Sequence, residues 1–81
     1  FNKNVEIDFC VPSAQLAIQV SYNLNDEATY EREVGGLIKF LKAFPGYHGY
    51  IITRDYQTQI MADGYTIEVV PIWKWLLQDN N

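Results

Sequence analysis

The chain has 81 residues, 48% of them hydrophobic and 15% aromatic, which is the composition of one small packed domain and excludes a disordered tail. A formal net charge of -4 and a pI near 4.6, with only six basic residues scattered along the chain, exclude nucleic-acid capture by overall charge. The single Cys10 cannot form an internal disulfide, and no apolar run approaches the roughly 20 residues needed to span a bilayer. A cytoplasmic protein with no membrane partner is therefore expected.

Asn2 to Asn4 reads as a turn. In "VEIDFCV", Val5, Ile7, Phe9 and Val11 share one face and Glu6, Asp8 and Cys10 the other, the period-two pattern of a strand with one face in the core. Pro12 and Ser13 break the run. "QLAIQVSY" then alternates again, with Leu16, Ile18, Val20 and Tyr22 on one side and Ala17, Gln19 and Ser21 on the other. The short connection predicts an antiparallel hairpin.

"NDEATYEREVGGLIKFLKAF" predicts the one long helix. Asn25 or Asp26 can cap it, acids fill its first turn, and Val34, Leu37, Ile38 and Leu41 recur at helical spacing before Pro45 and Gly46 end it. Gly35 and Gly36 each weaken the helix by about 1 kcal/mol relative to alanine, which suggests a close approach to the sheet. "GYIITR" follows as a strand parallel to the one before the helix. "TQIMADGYTIEVV" carries Asp63-Gly64 between two strand-like runs, a type I′ hairpin signal. "PIWKWLL" predicts a short helix with Pro71 in its first turn, before the polar "QDNN". The fold class expected is α/β with a mixed sheet, a single domain over residues 1–81.

The order acidic strand, hairpin strand, helix, parallel strand is that of metal-dependent nucleases of the PD-(D/E)xK type. There an aspartate and a Glu-x-Lys on the next strand hold a magnesium ion that polarises the phosphate. In this alignment Asp8 takes the aspartate position, Gln19 stands for the glutamate and Ser21 for the lysine. A neutral amide and a hydroxyl make a weak metal site with no added positive charge, so the three positions read as vestigial, with no catalytic residue and no metal. Glu6, Glu31 or Glu33 could act as relocated ligands, though acids at strand edges and in first helical turns are usually solvated.

The remaining polar residues are weighed the same way. His48, the only histidine, reads as an exposed loop residue. Arg32, Lys39 and Lys42 could touch a nucleic-acid backbone, but a charged helix face beside Glu31 and Glu33 is more often solvated. Trp73 and Trp75 lie two apart on a helix, about 200° in direction, so one of them is expected at an edge, where it could contact a partner.

Taken in order, "VEIDFCV", "AIQVSY", "DEATYEREVGGL", "GYIITRD" and "IEVVPIWKWLL" resemble the C-terminal domain, of unknown function, of bacterial and archaeal AAA-type P-loop ATPases. The resemblance covers nearly the whole chain. Many members keep "EVDF" followed by "IEVK", while a branch carries "IQV", as this chain does. The resemblance implies a restriction-endonuclease-like core truncated at its N-terminus and an N-terminal ATPase module of the same chain as partner. ATP and magnesium are implied for that module alone, since no Gly-x-x-x-x-Gly-Lys occurs in these residues. It also implies work by interdomain contact, by another protein or by homo-oligomer assembly, with a DNA-binding remnant or a metal-dependent nuclease using relocated acids as alternatives.

Overall fold

Two hairpins flank a single central strand, parallel to its neighbour on either side, in the computed structural model, which describes residues 7–22 and 24–79, side chains 78 and 79 excepted. The expected turn at Asn2 to Asn4, together with Val5 and Glu6, lies outside the described residues. In chain order the elements are β1 (Phe9–Val11), β2 (Leu16–Val20), α1 (Glu27–Ala43), β3 (His48–Thr53), β4 (Thr58–Ala62), β5 (Tyr65–Pro71) and α2 (Ile72–Asp79). They form one five-stranded mixed sheet of order β1-β2-β3-β5-β4 with two helices, an α/β fold.

The expected antiparallel hairpin β1–β2 forms, with Phe9 opposite Ile18 and Val11 opposite Leu16. The helical crossover places β3 parallel to β2, and β5 parallel to β3. Asp63 and Gly64 both adopt positive φ, 54° and 82°, as a type I′ turn requires, and β4 and β5 pair around them. Asp26 is the residue that caps α1: its carboxylate accepts from the Thr29 N–H and hydroxyl, both at 2.9 Å, and these bonds hold its pKa below the ordinary aspartate value. The helix stops at Ala43, just before Pro45.

The core lies mainly between the sheet and α1. Leu37, Phe40 and Leu41 of α1 pack on Ala17, Ile51, Ile67 and Val69, with the ring of Phe40 4.7 Å from Phe44 and 5.2 Å from Tyr47. Of the expected pair Gly35 and Gly36, Gly35 does not make a close approach to the sheet, whereas Gly49 of β3 does. A Cβ on Gly49 would meet Leu37 and Leu41 at 3.1 Å, whereas one on Gly35 would meet nothing within 4 Å. On the opposite face α2 covers a smaller cluster of Ile18, Ile52 and Val70, with Trp75 edge-on to Tyr50 at 5.2 Å.

Three further expectations change. Phe9 and Val11 do not face a closed core: they lie on the α2 side and are exposed, while α2, about 12 Å long, packs mainly on β3 and β5. Cys10 turns to the α1 side instead. Pro71 is the last, fully buried residue of β5, opposite Thr53, and the helix begins one residue later. His48 opens β3 rather than lying in a loop; it is exposed, and its N–H donates to the Gln15 carbonyl at 2.8 Å.

Candidate functional site

The hairpin register brings Asp8 and Gln19 together at the open end of the β1–β2 ladder. Asp8 sits in a bend just before β1 and is exposed. Its backbone N–H donates to Oε1 of Gln19 at 3.0 Å, and its own Oδ2 accepts the Val20 N–H at 2.9 Å. Two side chains thus continue the ladder where the backbone of the first strand bends away. An amide oxygen at position 19 suits this work, because it accepts an N–H without bringing a second carboxylate beside Asp8.

Gln19 is also not on a solvated strand face. Its neighbour across the sheet is Ile51, on the side covered by α1, and it is buried. The polar face of Ala17, Gln19 and Ser21 is therefore the helix-covered face, and the side chain of Gln19 had to find its bonds inside the protein. Ser21 lies just past the end of β2, where its N–H donates to the Ile52 carbonyl at 2.9 Å.

Glu33 joins this corner from α1. Its side chain is only 15% exposed and reaches Arg32 at 3.5 Å. Burial raises its pKa above the ordinary glutamate value, the Asp8 charge pushes it the same way, and Arg32 opposes both. Glu31 diverges to the other flank of the helix. There it lines a cleft of about 370 Å³ with Tyr30, Gly35, Lys39, Lys42 and Asp63, across which Lys42 pairs with Asp63 at 3.0 Å. Glu33 thus feels the charge of Asp8, while Glu31 lies on the cleft flank of the helix. No cluster of three or more His, Cys, Asp or Glu able to hold a metal occurs among the described residues, and Glu6 lies outside them.

The two tryptophans separate as their spacing implies. Trp75 packs on Tyr50, while Trp73 is 56% exposed. Ile72, Leu76 and Leu77 are exposed with Trp73, so α2 carries an apolar stripe at i, i+1, i+4 and i+5 that faces away from its own sheet. Beside α2, the α2-side face of β1 and β2 shows Phe9, Val11 and Val20, each between 37% and 60% exposed. The spacing in "IWKWLL" held the signal for the stripe, but its exposure depends on where α2 lands.

Against known proteins, neither a family model, a curated protein nor a solved structure matches the chain. Among the described residues, no helix is long and apolar enough to cross a membrane.

Proposed function

We propose that this domain works by contact and not by catalysis, as a nuclease-like core whose carboxylate corner has become structural. The exposed apolar stripe of α2 with the neighbouring β1–β2 surface carries this proposal, since contiguous apolar surface of this kind marks interaction sites. The loss of chemistry is supported by the corner itself. Asp8 and Gln19 spend oxygens on backbone N–H groups of the hairpin, and Ser21 brings no positive charge to a phosphate. The strand-strand-helix-strand order, with β3 parallel to β2, is compatible with the C-terminal domain of an AAA-type ATPase, whose own P-loop module would be a natural neighbour.

A second reading, a metal-dependent nuclease with relocated acids, is favoured by one observation: Glu33 lies close enough to Asp8 for the two charges to interact. Titration calorimetry with magnesium or manganese and a plasmid cleavage assay separate the two. The contact proposal expects no binding heat and no nicking. Metal-dependent cleavage that disappears in both Asp8→Ala and Glu33→Gln would establish the nuclease instead.

A further inference from the structure

The second face of the sheet is only partly covered. An open α/β sheet buries both faces under helices, whereas here α2 packs on β3 and β5 and over Ile18 of β2, and leaves Phe9 and Val11 of β1 and Val20 of β2 exposed. The exposed shelf consists of Phe9 and Val11 on β1 and Val20 at the end of β2, beside the buried Ile18. The shelf residues Phe9, Val11 and Val20 are apolar and uncharged, as are Ile72, Trp73 and Leu76 on the exposed side of α2. Each copy of the chain therefore presents a shelf that lacks a helix and a helix that lacks a floor.

We propose that a second copy of this chain fills the gap, its α2 lying on the β1–β2 shelf while the first copy's α2 lies on the partner's shelf. This deepens, and rests on, the contact reading above. A two-fold axis between the two helices satisfies both contacts at once. Each α2 keeps its inner side on its own β3 and β5 and turns its outer stripe to the other sheet. The result is sheet, helix pair, sheet. It is closed, because the same patch is used by both copies.

The area is sufficient. The exposed fractions of the stripe and shelf side chains amount to on the order of 700 Å² per copy, against about 800 Å² per partner in a standard interface. With no charged side chain among these residues, the surface has no feature to select nucleic acid or a strongly charged protein.

Sedimentation equilibrium of the 81-residue chain from about 5 to about 500 μM tests the proposal. The expected result is a monomer-dimer equilibrium with Kd in the micromolar range and no larger species. Leu76→Lys on the helix and Val11→Glu on the shelf are each expected to weaken it at least tenfold, with unchanged circular dichroism because both residues are exposed. Mixed together, the two variants are expected to form a heterodimer more readily than either self-associates, since one contact stays native and the other gains opposite charges. Association indifferent to both substitutions, or open-ended oligomers, would overturn the two-fold arrangement. A chain monomeric throughout that still binds an anilinonaphthalene dye, with binding lost in Leu76→Lys, overturns the second copy but leaves the contact reading intact. A monomer that binds no dye removes both.

Discussion

The two faces of the sheet solve the same problem to different degrees. Under α1, seventeen residues of helix cross the sheet and seal a core in which Leu37, Phe40, Ile51, Ile67 and Val69 are fully buried. Under α2, eight residues cover three aliphatic side chains and leave Phe9, Val11, Val20 and Trp73 in water. The difference is one of helix length and landing place, not of strand composition, since β2 and β3 offer apolar side chains to both faces. A sheet this small is held together by one face, which leaves the other available for contact.

The sharpest way to break this comparison is to remove one large ring from each face. Phe40→Ala should cost about 3–5 kcal/mol, because the site is enclosed on all sides and cannot collapse fully. Trp75→Ala should cost less, about 1–2 kcal/mol, since it is half-buried and caps a cluster of only three buried aliphatic side chains beside Tyr50. Urea denaturation of both, at concentrations low enough to exclude association, measures the contrast. Equal costs would mean that α2 contributes as much to folding as α1.

Two glycines sharpen the comparison further. Gly49→Ala drives a methyl group against Leu37 and Leu41 and should cost about 1–3 kcal/mol, whereas Gly35→Ala meets open space and should stabilise α1 by up to about 1 kcal/mol. Opposite signs in thermal unfolding are the expected outcome. A destabilising Gly35→Ala would show that the outer side of α1 is more crowded than its surroundings indicate.

The smallest effect concerns the Asp8 corner on the α1 side. The pKa of Glu33 is raised in the folded state, so folding binds a proton, and stability falls as pH rises from the ordinary value of 4.5 through the raised one. Glu33→Gln removes that penalty and should raise stability by less than about 1 kcal/mol at pH 7. The gain should vanish below pH 4.5, where the wild-type side chain is already protonated. A variant less stable than wild type at pH 7 would mean that the contact with Arg32 outweighs the buried charge.

Much of this was legible in advance because the signals were local. The capping pair Asn25-Asp26, Asp63-Gly64 and the Val34 to Leu41 spacing each act within a few residues, and each produced the element expected of it. The candidate site was less legible. That Asp8 and Gln19 meet followed from the hairpin, but their bonds to backbone N–H groups depend on where β1 bends. Glu33 feels the charge of Asp8 because of the rotation of α1, which its packing against the sheet sets.

Sequence alone thus determined the elements, their order and the pairing of adjacent strands, since turn chemistry and hydrophobic period are properties of short segments. Only the tertiary structure decided which face each strand shows to which helix. Alternation sorts residues into two sets, but the choice of the set that is buried depends on how far each helix extends over the sheet. That is why Gln19 is inside, Phe9 is outside, and the apolar side of α2 is turned toward water.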